Sequence, residues 1–213
     1  MRPPRLLSAL LAVLIPCSVA QAQLKPPPRF GLIAGINSST VGGGDAQDAK
    51  RRTGVMAGIS FVAPLSPGLS IEPELLYTMK GAGFSDTDAS GTVKMNYVEI
   101  PVLFRGSFPT STNARPFLYG GPDIAFRVGC SLEAQGQGIN GDVSCDEFEA
   151  EGLKFKTVDY GIVIGAGVSF DLTGKIFTIS ARYDHSLGKL VEDSDTKHRV
   201  LSLVGTLEFP WRR

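Results

Sequence analysis

Few side chains in this sequence could carry out a reaction: His185, His198, three cysteines and a scatter of serines and acids. A serine nucleophile needs its base within hydrogen-bond reach. His185 is followed by Ser186, which an extended chain turns to the opposite face, and His198 lies about 13 Å along a strand from Ser202. Neither local pair suits acyl hydrolysis; a cross-strand pair stays open, and histidines with no catalytic part are the preferred reading. Two histidines and no C-x-x-C spacing offer no zinc site, so neither metal nor cofactor is expected.

The cysteines and charges say more about location. Met1-Arg2-Pro3-Pro4-Arg5 is a positive start, 6–15 is apolar, and Ala20-Gln21-Ala22 has the small residues of a cleavage site, so 1–22 reads as a signal peptide and 23–213 as the mature domain. Pro16 is a poor match to a lipoprotein signal at Cys17, which leaves with the leader. Cys130 and Cys145 remain, an even pair in an oxidising compartment, and are expected to form a disulfide. Loss of Arg2 and Arg5 leaves a slightly acidic chain, which excludes a nucleic-acid binder of the usual basic kind. No stretch reaches the roughly 18 apolar residues of a membrane helix.

The elements that would position the remaining polar residues are strands. Alternation of apolar and polar residues, the period of a two-faced strand, runs through 30–37, 53–63, 69–80, 94–108, 116–128, 157–170, 176–187 and 199–209. Each is near the 9–11 or so residues of a tilted membrane strand. The connections alternate in length: 38–52, 81–93, 129–154 and 188–198 are long, whereas 64–68, 109–115 and 173–175 are short. In an antiparallel meander this puts all short turns at one end with the termini and four long loops at the other, the asymmetry of outer-membrane barrels. The polar face carries Glu72, Glu74, Lys80, Glu99, Arg105, Asp123, Arg127, Asp159, Arg182, Asp184 and Glu208. Such a list fits a soluble barrel with its polar face outward or a membrane barrel with its polar face inward. The apolar face has large residues on every strand, with Tyr77, Tyr160 and Tyr183 as interfacial candidates, and this favours lipid outside and an ion-pair network in the lumen.

Four stretches add a resemblance. Ile71-Glu72-Pro73-Glu74-Leu75-Leu76-Tyr77, Val98-Glu99-Ile100-Pro101-Val102-Leu103-Phe104, Tyr119-Gly120-Gly121-Pro122 and 159–167 resemble the outer-membrane protein β-barrel domain of Gram-negative bacteria, often called porin-family. The resemblance covers nearly the whole mature chain. It implies an outer-membrane location, assembly by the barrel-assembly machinery and no catalytic residues. The family's terminal aromatic corresponds here to Phe209 or Trp211, followed by Arg212 and Arg213.

The expectation is therefore an all-β, eight-stranded antiparallel up-and-down transmembrane β-barrel, a monomer in contact with outer-membrane lipid and lipopolysaccharide and with no nucleic-acid partner. Eight strands leave room for side chains and little else, so a filled lumen is favoured over an open channel. The function expected is non-enzymatic: envelope structure or surface interaction through the long loops, with minor pore activity left open. A soluble periplasmic, lipocalin-like barrel binding a small ligand is the alternative. Loop 129–154 carries Glu133, Asp142, Asp146, Glu147, Glu149 and Glu151. A solvated acidic loop is favoured there over a divalent-cation site, because the spacing is not that of a calcium loop. Lys50-Arg51-Arg52 fits lipid phosphates or water equally.

Overall fold

The computed structural model describes residues 26–43, 49–85, 89–136, 139–145, 147, 156–188 and 196–211. The leader expected over 1–22 and the acids Asp146, Glu149 and Glu151 lie outside them. Ten strands follow in order: β1 (Arg29–Gly42), β2 (Lys50–Ser66), β3 (Leu69–Ser85), β4 (Ala89–Glu99), β5 (Val102–Ser107), β6 (Ala114–Gly136), β7 (Ile139–Ser144), β8 (Val158–Leu172), β9 (Lys175–Ser186) and β10 (Lys197–Pro210). Every pairing is antiparallel, and β1 pairs with β10 from Arg29↔Pro210 to Gly42↔Lys197, which closes the sheet into a ring.

The ring has eight staves because β4 and β5 share one, both lying between β3 and β6. The stretch 94–108, expected as one strand, is interrupted at Ile100-Pro101. Proline has no N–H to give the ladder. The gap is bridged by Glu74 N–H to the Pro101 carbonyl at 2.9 Å and Ile100 N–H to the Ile124 carbonyl at 2.8 Å, so the wall stays continuous. β7 pairs with β6 above the ring.

Alternation persists across the staves, with the apolar face outside. Ile36, Ile164 and Leu203 are 57%, 54% and 54% exposed, while Glu72, Lys80 and Glu208 are buried. A soluble ligand-binding barrel has the reverse arrangement. A surface this apolar around a whole ring needs hydrocarbon against it. Phe61 and Trp211 meet edge to face at 6.2 Å beside the termini. Tyr160 and Tyr183 face outward near the opposite ends of β8 and β9. Tyr77, expected near a strand end, lies midway along β3 because that strand runs on to Ser85.

That extension is general on the side away from the termini. The connections expected at 38–52, 81–93 and 129–154 are partly strand: β1 continues to Gly42, β2 begins at Lys50, β3 reaches Ser85, β4 begins at Ala89, and β6 runs to Gly136 before returning as β7. Above the bilayer the outer face has no lipid to meet, so hydropathic alternation stops while ladder hydrogen bonds go on. At the other end, Thr173-Gly174 forms a two-residue turn with φ of 47° and 87°, the left-handed pair that matches strand twist and that glycine adopts freely.

Orientation can be checked directly. Arg at Ile164 or Leu203 is expected to cost roughly 2–4 kcal/mol of folding in lipid vesicles if the site lies near the midplane. Arg at Gly141, which has open space above the membrane in β7, is expected to be nearly neutral. Equal tolerance at all three positions would contradict the lipid-facing register.

Candidate functional site

The inward residues of the ring form a column of charge. At the end with the termini, Glu208 on β10 accepts from Arg29 Nε at 2.6 Å and from Arg105 on β5 at 2.8 Å. Arg105 also lies 3.5 Å from Glu72, donates to the Ser169 hydroxyl, and sits 3.8 Å over the Phe117 ring. In the middle, one terminal nitrogen of Arg182 on β9 reaches both oxygens of Glu74 on β3, at 2.8 and 2.7 Å. Its Nε donates to the Tyr119 hydroxyl at 3.4 Å, which in turn donates to Ser180 at 3.3 Å. Tyr119 can lie so flat against β8 only because residue 165 is glycine; a Cβ there would overlap the tyrosine ring.

Nearer the outside, the Lys80 ammonium on β3 binds Glu99 at 2.6 Å and Asp184 at 2.7 Å, and Glu99 also accepts from Thr78 at 3.1 Å. Asp123 completes a buried group of carboxylates with Glu99 and Asp184 whose oxygens lie within 4.8 Å of one another. The Lys80 ammonium supplies a cation to two of the three. Oδ1 of Asp123 has no hydrogen-bond partner among the described residues.

In the ring of eight staves, β3 stands four staves from β9, and the β4–β5 stave stands four from β10. Glu74–Arg182, Lys80–Asp184 and Arg105–Glu208 therefore each span the diameter. The free space among Glu72, Glu74, Arg105, Tyr119 and Arg182 is about 10 Å³, close to the lower limit for holding one water.

Of the eleven charged residues placed on the polar face by sequence, Glu72, Glu74, Lys80, Glu99, Arg105, Arg182, Asp184 and Glu208 are joined by ion pairs. Asp159 instead accepts from the Ser186 hydroxyl at 2.6 Å and from the Tyr160 N–H at 2.9 Å. Arg127 is half-buried opposite Tyr97 in the β4–β6 register. Arg29 joins the network although it precedes the alternating stretch, and its only sequence signal is a lone cation between prolines and the first strand.

The residues weighed for chemistry are dispersed. His198 faces inward, with Nε2 3.3 Å from the Tyr97 hydroxyl. His185 faces outward and stacks on Tyr183 with ring centroids 6.2 Å apart. Neither is hydrogen-bonded to a serine or threonine among the described residues, and the Ser186 hydroxyl is spent on Asp159 and the Gly188 carbonyl. Cys130 and Cys145 are disulfide-bonded with Cα atoms 5.4 Å apart, next to the Ser131↔Ser144 pair of the β6–β7 hairpin. Glu133, expected in an acidic loop, lies on β6 and pairs with Lys94 at 2.6 Å. Glu147 is exposed. Arg51 and Arg52 of the basic cluster donate to the carbonyls of Ser38 and Lys80, respectively.

The sequence profile of a family described as outer membrane protein beta-barrel domain matches residues 20–192. Among solved structures, the chain is similar to Neisserial surface protein A, NspA, at 14% identity and a TM-score of 0.51, over 85% of this chain and 97% of that one. Ail, the attachment invasion locus protein of Yersinia pestis, has 17% identity and a TM-score of 0.44, with 86% and 99% of the two chains covered. The outer membrane enzyme PagL has 14% identity and a TM-score of 0.41, with 83% and 99% covered. At 14% identity the likeness to NspA is one of fold. No curated protein matches significantly.

Two measurements test the energetics of the site. Arg182→Met alone strands a buried carboxylate and is expected to cost about 3–5 kcal/mol in urea unfolding, with Glu74→Met similar, whereas the double variant costs less than either. Additive losses would mean that the two charges do not satisfy each other. Replacing both Cys130 and Cys145 by Ser removes a loop-closure contribution of roughly 3 kcal/mol on the chain-entropy model. The barrel should keep its heat-modifiable gel mobility, while the hairpin from Ser131 to Ser144 becomes more sensitive to added protease; lost barrel folding would make the bond essential to the wall.

Proposed function

Because the chain belongs to the outer membrane protein β-barrel domain family, we propose that it works without catalysis, as a closed barrel that anchors in the outer membrane and presents hairpins to the outside for envelope structure or surface interaction. One observation carries this reading: ion pairs span the lumen and leave about 10 Å³ free at its centre. A solute would have to break several buried pairs at once, each break leaving uncompensated charge. Neither histidine is hydrogen-bonded to a serine or threonine among the described residues, which supports the non-enzymatic part of the reading. We take the functional unit to be a monomer of residues 23–213, released from its leader after Ala22, folded by the barrel-assembly machinery, and in contact with lipopolysaccharide at its outer rim.

In planar bilayers the purified protein is expected to give no large, stable channels, and lipopolysaccharide incubated with it should keep all its acyl chains. A steady porin-sized current would overturn the closed-lumen reading. Release of fatty acid that is lost in His185→Ala would overturn the non-enzymatic one.

A further inference from the structure

The two ends of the lumen differ. Below the Arg105–Glu208 pair, the end that carries the termini and short turns opens into a cavity of about 450 Å³, within the size range of small-molecule sites. Among the described residues, every charged one in its wall is an arginine: Arg29, Arg105 and Arg115. The acids that answer them, Glu208 and Glu72, lie behind the wall, and both are already used by Arg105.

Much donor capacity is left over. Arg29 spends only Nε, on Glu208, and its two terminal nitrogens have no partner among the described residues. Arg115 is exposed, and its guanidinium has no partner at all among them. The wall also offers the hydroxyls of Ser70 and Ser107, which make no hydrogen bond among the described residues. Two of the three cations are held in place in advance, Arg105 by Phe117, Ser169 and Glu208, and Arg29 by Glu208, so a ligand need not order them. Guanidinium groups with free donors, beside hydroxyls, suit oxyanions.

We propose that this cavity, which opens to the periplasm, binds a small soluble anion through a phosphate or carboxylate group. Lipid headgroups are a poor fit, because the wall is built from the inner face and the turns of the barrel. The ion pairs above form a floor, so the site holds its ligand and does not pass it on. Free phosphate compounds and carboxylate-bearing compounds share this chemistry, and two probes separate them.

The test is calorimetric titration of the full barrel protein in zwitterionic micelles at low ionic strength, with inorganic phosphate in one arm and succinate in the other. Saturable binding of one probe is expected and identifies the group preferred. Arg115→Gln, which breaks no contact, should weaken it roughly ten-fold, as should Arg29→Gln, each through loss of charge-assisted hydrogen bonds. Arg199→Gln, on the outer end of β10, should leave it unchanged. Failure of both probes to saturate, binding indifferent to Arg115→Gln, or an equal loss in Arg199→Gln would overturn the proposal. None of these results bears on the closed lumen, which conductance reads independently.

Discussion

In hydrocarbon, an open strand edge leaves each backbone N–H and C=O without a partner at a cost of several kcal/mol. The pairing of β1 with β10 removes that edge, and the other features follow from it. Once the ring is closed at eight staves, side chains must alternate between lipid and a space too narrow for bulk water. Charges on the inner face then have to find each other. They do so across the diameter, where an arginine or lysine from one stave reaches a carboxylate four staves away. The same closure explains why Pro101 is tolerated in a wall: its missing donor matters less where Glu74 and Ile100 carry the ladder past it.

The membrane part of this arrangement is written in the sequence because lipid enforces a period of two. Residues 157–170 alternate through their whole length and occupy β8 nearly as expected. Where lipid ends, so does the signal: Ser39, Thr40 and Lys50 to Arg52 are polar on both faces and read as loop, yet the ladder carries through them. Which charges pair is also hidden, because partners such as Lys80 and Asp184 are set by the stagger of staves that are not neighbours. Asp159 shows the limit well. Its inward position is legible, but its bond to Ser186 depends on the β8–β9 register. Arg29 was invisible for a related reason, since a single cation before a strand has no period to reveal it.

The two mouths reflect different demands. Toward the termini the turns are short, and among the described residues the cavity is lined by three arginines and no acid. On the other side the staves rise past their apolar bands, and a disulfide ties the return of β7 to the base of its hairpin. The column between them is packed with side chains that leave about 10 Å³ free at its centre, so the ends are insulated from each other sterically.

The rise of the staves above the bilayer has a thermodynamic consequence for recognition. A flexible loop that meets a partner must surrender backbone freedom at that moment, on the order of 1–2 kcal/mol for each residue fixed. Residues such as Thr40, Arg51 and Arg199 stand on hydrogen-bonded strands, so their backbone entropy was lost when the barrel formed. Contacts made there translate more fully into affinity. Exchanging such a side chain changes the chemistry of the outer surface while the shape beneath it stays fixed, so this part of the protein can diversify without refolding.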